Sequence, residues 1–221
     1  MRAELDCHIA VFTKPSVAGQ VKTRLIPALG AQGAARLHAR MLRHTLAVVR
    51  DARAASQSLW IAGEASDPML QTYAAQFPLY SQQGRDLGIR MAAAFDTLLR
   101  QHARVLLVGT DCPPLAPAHL RASAKRLDSR HDVVLVPAED GGYVLLGLAA
   151  VPVSRREALF GALFDDIPWG SAEVLVQTRA RLARRGLSWA ELPPLWDIDR
   201  PEDLQRLMKF EPSFFQDMET P

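Results

Sequence analysis

Val105-Leu106-Leu107-Val108-Gly109-Thr110-Asp111-Cys112-Pro113-Pro114 decides how the chain is read. Four apolar residues run without alternation, as in a parallel strand covered on both faces. Gly109 and Thr110 loosen the chain, and Pro113 and Pro114 stop the strand. Asp111 therefore falls where the strand leaves the sheet. In open α/β sheets ligands bind beyond the carboxyl ends of the strands, and an acid there is suited to a hard cation.

Outward from this strand, apolar strand-like runs alternate with helical periodicity. Residues 7–13 read as a first strand, and 32–54 as a helix with Leu37, Met41, Leu42, Leu46 and Val49 on one face. Short strands follow at 58–62 and 78–81, around a helix opening at Ser66-Asp67-Pro68. Helices are expected from Leu87 and from Ala116, a buried strand at 132–137, and a returning strand after Glu139-Asp140-Gly141-Gly142, strong turn chemistry. A short helix near 155–160, a helix from Ser171 to Arg184, a strand at 188–192 and a helix from Pro201 complete the pattern. Such alternation predicts an α/β fold: one three-layer α/β/α domain around a mixed, mainly parallel sheet, with an antiparallel element at Gly141-Gly142. The domain is expected over 1–209, with a tail at 210–221 that either moves freely or docks.

The 221 residues suffice for one large core. A formal charge of +2 is too mild to imply nucleic acid, and Trp60, Trp169, Trp189 and Trp196 form no stacking stripe with basic residues. Two cysteines, Cys7 and Cys112, are too few for a disulfide scaffold. The acidic N-terminus lacks signal-peptide character, and no stretch has the apolar length of a membrane span. A cytoplasmic protein is the expectation.

The loop after the first strand carries Lys14, Lys22 and Arg24 around Gly19, where phosphate cradles commonly sit. It matches neither GxxxxGK[ST] nor GxGxxG, so a P-loop and a dinucleotide fingerprint are disfavoured. Charge and position leave either a phosphate cradle or a solvated basic loop. Glu139, Asp140, Asp197 and Asp199 are candidate companions of Asp111 for a divalent cation; turn or cap roles would explain each as well. His38 and His44, on the first helix, read as surface or boundary residues, and the histidines show no i, i+4 metal spacing. No GxSxG elbow is present, and Cys112 beside Asp111 is a poor nucleophile.

Taken together, Phe12-Thr13-Lys14-Pro15, Lys22-Thr23-Arg24-Leu25, Asp86-Leu87-Gly88, Asp111-Cys112-Pro113, Glu139-Asp140-Gly141-Gly142-Tyr143, Ile167-Pro168-Trp169 and the closing Trp196-Asp197-Ile198-Asp199-Arg200-Pro201 resemble the glycosyltransferase-A / nucleotidyltransferase superfamily. Within it they resemble a poorly characterised bacterial glycosyltransferase-A-like family, over about residues 9–207. The resemblance implies a nucleotide-diphospho-sugar transferase fold and a transferase using a nucleoside triphosphate or nucleotide-sugar with Mg²⁺ or Mn²⁺. Arg24 would clamp phosphate with Lys14, Gly19 and Lys22 in support, and Gln82 and Gly88 would lie where the base is read. Arg24, Lys22 and Asp111 would be catalytic, and Asp111 the metal ligand with Asp197, or alternatively Asp199. Asp140, Gly141, Gly142 and Tyr143 would meet a small-molecule acceptor. The chain departs from the superfamily in three places. Lys14-Pro15 replaces a Gly-x-Gly start, Ile26-Pro27-Ala28 replaces Pro-Lys after Thr-Arg, and Pro113 removes the second acid of Asp-x-Asp. A non-catalytic nucleotide- or sugar-binding protein with an incomplete metal site is the alternative. The oligomeric state has no signal in the sequence.

Overall fold

Alternate residues of each central strand enter opposite cores. Ile9 and Val11 of β1 (Leu5–Thr13) join one apolar cluster, while Ala10 and Phe12 join the other. In β4 (Arg104–Val108) Leu106 and Val108 face the first cluster and Val105 and Leu107 the second; β5 (Val133–Pro137) divides in the same way. A two-residue side-chain period with both sets buried requires a sheet covered on both faces. The computed structural model describes residues 5–63, 67–129 and 131–216.

With β2 (Ala54–Ile61), β3 (Leu79–Ser81), β6 (Tyr143–Ala149) and β7 (Trp189–Glu191), the seven strands lie in the order β3-β2-β1-β4-β6-β5-β7. Only β6 runs antiparallel to its neighbours among the paired strands, because the Gly141-Gly142 turn returns the chain at once. Helices α1 (Ile26–Ala52), α2 (Pro68–Gln71) and α4 (Pro117–Ser129) cover one face, and α3 (Leu87–Leu98), α5 (Val153–Leu163) and α6 (Val174–Arg184) the other. The three-layer α/β architecture is thus the one expected from the alternation.

Element ends differ where turns intervene. Helix α1 begins six residues before residue 32, in a short segment that breaks at Gly30 (φ 67, ψ 164) before the regular helix. Strand β2 begins at Ala54, since Arg53 ends α1 in the left-handed conformation and the chain turns directly into the sheet. Asp67 caps α2 by accepting from the N–H groups of Met69 and Leu70; Ser66 and residues 1–4 lie outside the described residues. Helix α7 (Asp203–Phe210) begins two residues after Pro201, and its Asp203 carboxylate accepts from the N–H groups of Asp199 and Arg200.

A third cluster joins Leu25, Leu37 and Met41 to Ile198, Leu204 and Leu207. Phe214, in the 3-10 turn Pro212–Phe215, is buried in it, so this part of the 210–221 segment packs onto α1. Residues 217–221 are outside the described residues. The cluster fixes the loop after β1 against the chain before α7, and these two segments carry most of the expected charged site.

Candidate active site

The sheet order makes the site. From β1 the chain moves outward through β2 and β3, and then returns to the other side of β1 as β4. The crevice between the carboxyl ends of β1 and β4 is a topological switch point, the usual ligand position of open α/β sheets. A cleft of about 470 Å³ opens there, lined among others by Lys14, Lys22, Arg24, Gln82, Asp111 and Asp199.

Lys22 is the centre of this cleft. Its backbone is left-handed (φ 48, ψ 41), and its side chain is 5% exposed. The ammonium lies 2.9 Å from Asp111 Oδ1 and also donates to the Ile198 carbonyl. The Ile198 N–H donates to the Asp111 carbonyl at 2.8 Å. One lysine thus ties the first loop, the end of β4 and the Trp196–Arg200 segment together. Desolvation raises the Asp111 pKa, but the charge and hydrogen bond of Lys22 outweigh it and hold the carboxyl below the ordinary range. Thr110 Oγ1 donates weakly to the same carboxylate at 3.4 Å.

Arg24 is exposed and forms an ion pair with Asp199. Every expected phosphate clamp with a partner therefore holds an expected metal ligand. Asp197 is different. Burial, with Asp140 and Asp111 facing it, pushes its carboxyl up to about 6. Asp197 borders neither this cleft nor the smaller one beside it, and the Lys22 charge offsets part of the repulsion it feels. The hard oxygen donors of Asp111, Asp197 and Asp199 are of the kind that suits Mg²⁺ or Mn²⁺. No ready-made group of three ligating side chains exists among the described residues. The donor set fits a cation that completes its shell with water and phosphate oxygens, as Mg²⁺ usually does.

A smaller cleft of about 200 Å³ continues from the first, sharing Phe12, Leu87 and Gly109 with it. Asp140, Gly142 and Tyr143 line it, together with Trp169 and Ser171. Gly141 (φ 94) has a closing role: a Cβ there would lie 2.2 Å from the Ala172 carbonyl oxygen, so only glycine lets the turn meet that chain. The Tyr143 ring meets Trp169 edge-on at 6.2 Å. Its hydroxyl is buried near Thr178, and burial raises its pKa. The turn is anchored to α7 by Glu139, which accepts two hydrogen bonds from Arg206 at 2.6 and 3.0 Å while that guanidinium covers the Trp196 ring.

Not every expected residue lines a cleft. Gly88 is buried beneath Trp169 and does not border the larger cleft. Gly19 (φ 82) completes a turn in which Gln20 N–H donates to the Val17 carbonyl. Gln82 lines the cleft, but its amide donates to the carbonyls of Thr13 and Trp60, bracing the ends of β1 and β2. His38 is a correction: it is 5% exposed, borders the cleft and hydrogen-bonds Ser16 at 2.8 Å. Burial lowers its pKa to about 4, so it is neutral at pH 7. Its place three and four residues from Met41 and Leu42 had put it on the apolar face. Arg90 lines the cleft too, and no sequence pattern marked it. Burial, with Asp197 and Asp111 nearby, pushes the Cys112 thiol up to about 12, consistent with its expected inertness.

Comparison with solved structures agrees with the topology. A candidate nucleotide-diphospho-sugar transferase from Desulfovibrio desulfuricans G20 is 28% identical, with a TM-score of 0.81 over 98% of this chain and 92% of that one. Rv0371c from Mycobacterium tuberculosis H37Rv, solved in complex with manganese, is 18% identical, with a TM-score of 0.55 over 92% of this chain and 98% of that one. CMP:2-keto-3-deoxy-manno-octonic acid synthetase, solved with CTP, shares 10% identity and a TM-score of 0.56 over 94% of this chain and 99% of that one. The fold is that of the nucleotide-diphospho-sugar transferases. A search of curated proteins gave no match. A family model matches residues 45–171, more than half of the chain, and the protein belongs to that family, described as uncharacterized protein conserved in bacteria (DUF2064).

Proposed function

We propose that the protein is a divalent-cation-dependent transferase that takes a nucleoside triphosphate or nucleotide-sugar and passes its nucleotidyl or glycosyl group to a small acceptor. The observation that carries this reading is the crossed pairing in the larger cleft, Lys22 with Asp111 and Arg24 with Asp199. Each pair joins a group suited to phosphate with one suited to a metal ion. A cation-bound phosphate replaces both partners at once, so the exchange keeps every charge matched. The D. desulfuricans neighbour's description and the manganese and CTP complexes of the other neighbours support the same class.

In this reading Asp111 and Asp197 hold Mg²⁺ or Mn²⁺, with Asp199 as the alternative second ligand. The ion supplies Lewis-acid neutralisation of charge on the phosphates. Arg24 turns from Asp199 to grip phosphate oxygens, where its planar fork suits two of them. Lys22, held by the Ile198 carbonyl, keeps a fixed positive charge beside the leaving phosphate. Lys14, exposed at the cleft rim, adds charge without a fixed geometry. Gly19 and Gly88 act through the shape of the turn and of the α3 start; Gln82 offers its side-chain oxygen toward the base. Asp140, Gly142 and Tyr143 border the acceptor, and Gly141 closes their turn.

The test is thermal unfolding with a panel of nucleoside triphosphates and nucleotide-sugars, with and without Mn²⁺. A ligand at 100 times its Kd adds about 2.7 kcal/mol, or about 5–10 °C in Tm for a chain of this size. That gain is expected only with metal, and is expected to vanish in Asp111→Asn. Stabilisation indifferent to Mn²⁺ and unchanged in Asp111→Asn would show a binding protein without the proposed chemistry. Pyrophosphate release then identifies nucleotidyl transfer, and nucleoside diphosphate release glycosyl transfer.

A further inference from the structure

The two joined clefts have opposite chemistry. The larger is bordered by Lys14, Lys22, Arg24 and Arg90. The smaller has Asp140 as its only charged side chain among the described residues, above walls that include Phe12, Met91, Tyr143, Val144, Trp169 and Val174. We infer that the smaller cleft seats the acceptor, and that the acceptor is an uncharged hydroxyl compound with an apolar body. The inference rests on the transferase reading for the word acceptor, and on the cleft alone for its chemistry.

Charge decides against an anionic acceptor. A phosphate or carboxylate would enter past the Asp140 carboxylate and would meet no lysine or arginine among the lining residues to accept it. Burying an unpaired charge is far costlier than burying a hydroxyl that keeps one hydrogen bond. A cationic body would find Asp140 at the mouth but no partner deeper in. Asp140 is fixed for the hydroxyl. Its Oδ1 accepts from Gly142 N–H at 2.9 Å, and its Oδ2 has no partner among the described residues. Phe12, shared by both clefts, places an acceptor beside the nucleotide phosphates rather than at a remote site. At about 200 Å³ the cleft admits one ring or a short chain.

Three probes with one body separate the head groups: 2-phenylethanol, its phosphate monoester and 2-phenylethylamine. Methyl NMR shifts of Met91 and Val174 report occupancy of this cleft. The alcohol is expected to shift both saturably and to bind at least tenfold more tightly than either charged probe. Ser171→Arg, at an exposed position on the rim, is expected to reverse the order of alcohol and phosphate monoester. Equal or tighter binding of a charged probe to the wild type overturns the inference. So does the absence of any shift with the alcohol up to its solubility limit. Mn²⁺-dependent nucleotide binding in the same samples tests the larger cleft. Its absence overturns the transferase reading alone, while the head-group order still decides the chemistry of the smaller cleft.

Discussion

The larger cleft is made of loops and charge, the smaller of strand ends and rings, and the two solve burial in different ways. A charged wall must find partners before a ligand arrives, so Lys22 holds Asp111 and Arg24 holds Asp199. An apolar wall has no such need, and Trp169 is seated on Gly88 and edge-on to Tyr143. In the proposed function the first region would exchange these partners for a cation-bound phosphate. The second offers a shape already formed.

The hardest blow to this contrast falls on the seated ring. At Gly88 a Cβ would lie 2.3 Å from Trp169 Nε1 and 3.1 Å from the Phe164 carbonyl oxygen. Crowding of this kind costs about 1–3 kcal/mol, and the gain of alanine over glycine in a helix, about 1 kcal/mol, offsets only part. Gly88→Ala is expected to lose up to about 2 kcal/mol, a fall of up to about 8 °C in Tm, and to weaken acceptor binding while Mn²⁺–nucleotide binding persists. A Tm at or above that of the wild type would show that Trp169 is not held there.

The next effect separates the two ion pairs. The Arg24 and Asp199 side chains are 62% and 41% exposed, so their pair contributes under about 1 kcal/mol to folding. Arg24→Met is therefore expected to leave Tm almost unchanged and to weaken nucleotide binding about tenfold through loss of a charge-assisted clamp. Isothermal titration beside a melting curve reads both. A large loss of stability with intact affinity would make Arg24 a structural residue and remove it from the clamp.

The smallest effect has the opposite sign. Asp197 titrates near 6 in the folded protein, above its ordinary 3.8. The folded state thus binds the proton more tightly, and stability falls as pH rises through that window. Above it, the ionised carboxylate is held in a partly buried place with Asp140 and Asp111 nearby, at a net penalty of about 1 kcal/mol after solvent screening. Asp197→Asn is expected to raise Tm at pH 7.5 by about 2–4 °C, with the gain gone below pH 4, and to weaken Mn²⁺ binding. No gain at pH 7.5 would mean that neither burial nor the neighbouring acids penalise the ionised carboxylate, and would weaken the case for a cation beside it.

The fold was largely legible because its signals are local. The runs at β1, β4 and β5 are apolar on both faces, and only a doubly covered strand uses such a run. The antiparallel return at β6 follows from Gly141-Gly142 in the same way. Motif residues gave several of the charged groups that line the larger cleft but not their pairings. His38 lay on the apolar face of α1, yet its position at the cleft depends on how the first loop folds over that helix. Arg90 carries no motif and reaches the cleft only because α3 starts beside it.

What the amino-acid sequence determined by itself is the list of elements, the acid at the end of β4 and the cations after β1, since periodicity and turn chemistry act over a few residues. Which charge meets which was decided only by the tertiary structure. Lys22 reaches Asp111 and the Ile198 carbonyl because β4 lies beside β1 and because Leu25, Met41, Ile198 and Leu204 share one core. Those contacts join residues far apart in the chain, so their formation depends on sheet order and packing rather than on any local pattern.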